Sequence, residues 1–161
     1  MDADIIVMQM KEGDIAQVKQ IINRSFPIFY RFFATSSIYE EGKVLVGKKQ
    51  GKIVGFAKLI NFKIEHKKYG CILWIAVQPA ARRKGIAATI TKEGIEYLKS
   101  EGATAVFAST QKRNIAAISV LKLNGFRRIS FLGLKRIFGW RAFQLYKAIW
   151  FAPREVVFIH E

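Results

Sequence analysis

At 161 residues, half of them apolar, the chain is long enough to bury one substantial core and too short for two ordinary ones, so one domain over residues 1–161 is expected. Its 27 basic against 12 acidic residues leave a net charge of +15, which serves solubility and favours nucleic acid, an anionic membrane surface or a phosphate-bearing cofactor as partners. The lone Cys71 excludes an internal disulfide, and His66 and His160 are too far apart for zinc-like spacing, so no metal is expected.

The opening MDADIIVMQMKEGD places acids on both sides of a short apolar stretch and lacks a small-residue cleavage site. No apolar run reaches the roughly 18 residues a membrane span requires, and a cytoplasmic protein without a transmembrane segment is expected. IIVMQM reads as a buried strand. Ile15, Val18, Ile21 and Ile22 then fall at helical spacing, in a helix closed by Pro27. IFYRFFATSSIYE forms a second, aromatic helix or helical loop. From Lys43 the period becomes two: KVLVGKKQ and KIVGFAKLINFKIEH flank a Gln50-Gly51 turn, and KKYG is expected to make the next turn. In CILWIAV both alternating sets are apolar, which places this strand mid-sheet with both faces covered.

Pro79 ends that strand, and Ile86, Ile90, Ile95 and Leu98 mark a helix running to Gly102. TAVFAST is a strand. NIAAISVLKLNG is a helix with Asn114 as N-cap and Gly125 as terminator, and FRRISF is a strand. LKRIFGWRAFQLYKAIWFAP is basic and aromatic, with Phe138, Ala142, Leu145, Tyr146 and Ile149 on one helical face. This extra helix precedes a last strand, REVVFIHE, and packs in the core or in a homodimer, lines an acceptor pocket or lies on a membrane surface. The alternation gives an α/β or α+β sandwich.

The most informative stretch is Arg82-Arg83-Lys84-Gly85-Ile86-Ala87, where a buried strand delivers the chain to a glycine at the start of a helix. Such a junction offers unpaired backbone amides on the positive end of the helix dipole. Gly85 leaves the main chain bare, Ala87 keeps the next turn slim, and the three cations add charge, together forming an anion cradle. Neither GxGxxG nor GxxxxGK[ST] is present, which removes the main support for dinucleotide-fold and P-loop readings.

The stretch resembles the pyrophosphate-binding signature of the GNAT superfamily of acyl-coenzyme A-dependent N-acyltransferases: Arg or Gln, two variable residues, Gly, one variable residue, Gly or Ala. The later block NIAAISVLKLNGF, with Asn114, Ala117, Gly125 and Phe126, is similar to a second motif of the family, and the likeness covers about residues 4–131. It implies a mixed, mostly antiparallel sheet with helices on both faces and a splayed central strand pair. It also implies acetyl-CoA as co-substrate, its pantetheine arm along Ile75, Ala76 and Val77 and its diphosphate on the amides of residues 84–88 beside Arg82, Arg83, Lys84, Gly85, Ile86, Ala87, Ala88 and Asn114. A primary amine, on a protein N-terminus, a lysine or a small molecule, would attack the thioester directly.

Three positions depart from the family pattern. Leu121 stands where a tyrosine commonly protonates the departing thiolate, and Cys71 and Ser109 stand where other members carry a base. If the KKYG turn closes a hairpin in simple register, His66 lies opposite Cys71 with Glu65 beside it. These two are therefore the candidate proton acceptors. The competing reading is a non-catalytic module that binds nucleic acid or the ribosome through its positive surface; acidic peptides suit the same charge.

Overall fold

A computed structural model describes residues 4–161. Seven strands form one sheet: β1 (Ile6–Gln9), β2 (Lys43–Lys49), β3 (Lys52–Ile64), β4 (Lys67–Val77), β5 (Val106–Gln111), β6 (Arg127–Ile129) and β7 (Glu155–His160), in the order β1-β2-β3-β4-β5-β7-β6. Every neighbouring pair is antiparallel except β4 and β5, which a helical crossover joins in parallel. The helices are α1 (Ile15–Ser25), α2 (Ile28–Ser37), α3 (Ile86–Ser100), α4 (Ile115–Leu123), α5 (Phe131–Phe138) and α6 (Ala142–Ala148).

Side chains alternate across the sheet, so its two faces need separate cover. On one face Ile86, Ile90, Ile95 and Leu98 of α3 meet Leu45, Ala57, Leu59 and Ile72, with Leu121 and Phe126 closing the α4 end. The opposite face carries two clusters. Val18, Ile21 and Ile22 of α1 pack on Val46 and Phe56, while Leu134 and Phe138 of α5 and Leu145 of α6 pack on Phe107 and Val157. Among the described residues no helix is long and apolar enough to cross a membrane.

The turn between β2 and β3 is the expected Gln50-Gly51, with both residues at positive φ (50° and 76°), as a two-residue hairpin turn of matching twist requires. The next turn differs from expectation. Glu65 and His66 make it, not KKYG, because Lys67 through Gly70 already belong to β4. Gly70 serves helix packing instead: a Cβ there would lie 2.9 Å from Leu98 Cβ. Tyr69 is buried between Phe62, Phe107 and Phe138. The carboxyl-terminal helix is also divided in two, since Gly139 (φ 58°, ψ −134°) leaves the helical region and a 3-10 turn, Gly139–Arg141, follows. Both pieces still bury the expected face, through Phe138, Ala142, Leu145 and Ile149.

Candidate active site

β4 and β5 pair only at Gly70↔Val106, Cys71↔Phe107 and Ile72↔Ala108, and beyond Ile72 they part. The cause lies in β4. Lys58 of β3 faces Trp74 and Leu59 faces Ile72, so Leu73 is an extra residue, a bulge that bends the strand and raises its twist where the separation begins. Pairing to β3 resumes through Ala57↔Ile75, Phe56↔Ala76 and Gly55↔Val77. The Gln78 amide donates to Val54 O at 2.7 Å, so by antiparallel alternation Ala76 also directs its polar groups toward β3. Ile75 and Val77 direct theirs to the side that β5 has left. Of the three residues expected along the opening, Ala76 therefore has its backbone committed elsewhere and a side chain buried on the α1 face.

The chain leaves β4 through Gln78 and a 3-10 turn, Pro79–Ala81, and enters α3 with Gly85 at φ 76° as its N-cap. The first amide bonded along the helix is that of Thr89, which donates to Gly85 O at 3.0 Å. The amides of Ile86, Ala87 and Ala88 precede that bond, so the strand-to-helix junction presents them together at one end of the opening. Arg83 and Lys84 are exposed beside them. Arg82 has a different position. Its Nε donates to Val77 O at 3.1 Å and its Nη2 to Ser25 Oγ at 3.3 Å, tying the end of β4 to the end of α1. Asn114 caps α4, its Oδ1 accepting the Ala117 amide at 3.1 Å.

On the other face of the opening is a polar cluster that sequence reasoning did not find. Glu155, the first residue of β7, accepts the Ser109 hydroxyl at 2.9 Å and the Ala152 amide at 3.2 Å on Oε2, and the Tyr30 hydroxyl at 3.3 Å on Oε1. Gln111 donates to Tyr30 Oη at 3.2 Å. The Tyr30 ring stands edge-on to Trp74, with centroids 5.8 Å apart, so this α2 residue bridges the parted strands from β4 to β5 and β7. Burial pushes the Tyr30 phenol above its ordinary value, which keeps it a neutral donor. Trp74 Nε1 is buried without a hydrogen-bond partner. The only sequence signal was Ser109, and its partner Glu155 lies 46 residues away along the chain, with Tyr30 in turn 125 residues from Glu155.

Glu65 and His66 do not join this cluster. Cys71 faces Ile60, not His66, and the Glu65-His66 turn lies at the far end of the hairpin, seven residues or about 23 Å along β4 from the bulge. Glu65 is exposed and pairs with Arg141 at 2.8 Å. Cys71 is fully buried and its thiol is pushed well above its usual value, first by burial and then by the Glu155 charge, so it is inert as a base. Leu121 is buried in the α3–α4 core and brings no hydroxyl to the opening. Among the described residues no group of three His, Cys, Asp or Glu side chains could hold a metal ion. Two surface depressions, one lined by Arg31, Phe32, Thr35, Ser36 and Tyr39 and one by Glu41, Gly42, Ile60, Asn61, Phe62 and Ala148, include no residue of α3 or β5.

A sheet parted between its parallel strands, with a bare helix N-terminus at the mouth, is the arrangement that the resemblance to the acyltransferases implies. The chain belongs to the acetyltransferase (GNAT) family, whose model matches residues 15–126. It is 29% identical over 89 residues to the mycothiol acetyltransferase of Renibacterium salmoninarum, a match covering 54% of this chain and 26% of that protein; the chain thus spans about a quarter of that relative's length. The Bacillus subtilis acetyltransferase solved in complex with CoA superposes with a TM-score of 0.72 at 16% identity, covering 98% of this chain and 99% of that one. The ribosomal-protein-S18-alanine N-acetyltransferase of Escherichia coli superposes with a TM-score of 0.66 at 18% identity, covering 96% and 92%. At these identities the two structures establish the fold.

Proposed function

We propose that the protein transfers an acetyl group from acetyl-CoA to a primary amine on a protein N-terminus, a lysine or a small molecule. The observation that carries this reading is the run of amides at Ile86, Ala87 and Ala88 ahead of the first helical hydrogen bond, at the mouth of the β4–β5 opening. Amides so placed suit a diphosphate, with the helix dipole and the exposed Arg83 and Lys84 adding positive potential. The backbone groups that Ile75 turns into the opening, together with the Val77 amide, suit an amide-bearing arm lying along β4 as an added strand would, while the Val77 carbonyl accepts Arg82 Nε. Arg82 holds the loop against Val77 and Ser25 and so fixes the distance between the two.

Acetyl-CoA supplies the acyl group as a thioester that an amine attacks without a covalent enzyme intermediate. The chain's task is then to hold two reactants in line and accept a proton. Leu121 removes the side-chain hydroxyl that family members commonly offer the leaving sulfur, so the sulfur takes its proton from the amine or from water.

The test is calorimetric titration with coenzyme A, followed by labelled acetyl-CoA across panels of peptides and amines. Binding of coenzyme A with label incorporated into at least one amine is the expected result. Salt-steep binding to unrelated DNA and RNA with no response to coenzyme A would replace this reading with that of a nucleic-acid module.

A further inference from the structure

The carboxylate of Glu155 stands out against the charge of the chain. With 27 basic residues available, the ion pairs among the described residues are Lys48–Asp14, Arg127–Glu161 and Arg141–Glu65, and Glu155 is in none of them. It is half-buried and held by three neutral donors: Ser109, Ala152 and Tyr30. A carboxylate offers four lone-pair positions, so about one remains, on Oε1 next to the Tyr30 hydroxyl. An anion fixed by neutral donors and lacking a cation, where the two central strands part, is a preorganised receptor for a positive group. Tyr30 and Trp74 give it an aromatic flank, which favours a cation further.

We propose that Glu155 is the acceptor site of the enzyme: it receives a primary ammonium group, oriented by Ser109 and Tyr30, and takes its proton. The proposal rests on the transferase reading above and names the group that selects a cationic amine. An ammonium N–H bond breaks and its proton passes to the free position on Glu155. The nitrogen lone pair then forms the bond to the acetyl carbon as the carbon–sulfur bond breaks. The second nitrogen proton leaves with the sulfur as thiol, the third stays on the amide, and Glu155 returns its proton to water. Gln111, donating to Tyr30 Oη, fixes the direction of the phenol and makes Tyr30 a positioning residue.

The acceptor need not be known to test this. S-(2-aminoethyl)-coenzyme A carries an ammonium just beyond the sulfur, and S-propyl-coenzyme A is its neutral counterpart. Wild-type protein is expected to bind the ammonium compound about tenfold or more tightly than the propyl compound, the size of a charge-assisted hydrogen bond. Glu155→Gln and Glu155→Ala are expected to lose that preference and to bind the propyl compound within about twofold of wild type, which also shows that they fold. Equal binding of both compounds by wild type, or a preference that survives in either variant, overturns the assignment of Glu155. Failure of wild type to bind either compound overturns the transferase reading itself.

Discussion

The opening has two walls of opposite construction. One is a single stretch, residues 82–88, whose chemistry is backbone amides and a glycine at φ 76°. The other gathers side chains from α2, β4, β5 and β7, with Tyr30 and Glu155 separated by 125 residues. A wall made of main chain depends on local conformation and tolerates changes of side chain. A wall made of side chains depends on every element that delivers them. In the proposed reading, the first wall would recognise what all acyl-CoA donors share, and the second would be free to vary with the acceptor.

That contrast can be broken most severely at Glu155. Glu155→Gln is expected to lower kcat/KM for any amine acetylated by wild type by about 10²–10⁴-fold, the usual worth of a positioned proton acceptor, with the Kd of coenzyme A unchanged. A parallel loss of coenzyme A affinity would show that the walls are not independent. Gly85→Val probes the other side. A β-branched residue at φ 76° costs about 1–3 kcal/mol, and the loop should relax by displacing its amides; coenzyme A is expected to bind about 10-fold or more weakly by calorimetry. Smallest is the effect of Glu65→Ala with His66→Ala. Their turn lies at the far end of the hairpin and the Glu65–Arg141 pair is half-exposed on both sides, so kcat/KM should be unchanged and stability should move by no more than about 1 kcal/mol in a thermal melt.

The same contrast explains what could be read in advance. Gly85, Ala87 and the helix stripe behind them are contiguous and periodic, so a strand-to-helix junction with free amides followed from residue order. Trp74 was visible only as one apolar member of a buried strand. That it touches Tyr30 depends on the bulge at Leu73, which no local pattern announces. His66 was placed opposite Cys71 by giving the KKYG glycine to a turn, the commonest use of Gly after a polar run. In the fold Gly70 makes room for Leu98, a contact between residues 28 positions apart.

By itself the sequence determined the order of strands and helices, the buried central strand, the hairpin turn at Gln50-Gly51 and the strand-to-helix junction with free amides at Gly85, because each is set by nearest neighbours, by period or by the φ a glycine permits. Tertiary structure alone decided where β4 leaves β5, that β7 inserts between β5 and β6, and hence that Glu155 arrives beside Ser109 and Tyr30. The physical reason is that strand pairing and its bulges satisfy backbone hydrogen bonds and bury two faces at once. Those requirements couple distant segments and leave no mark on the residues between them.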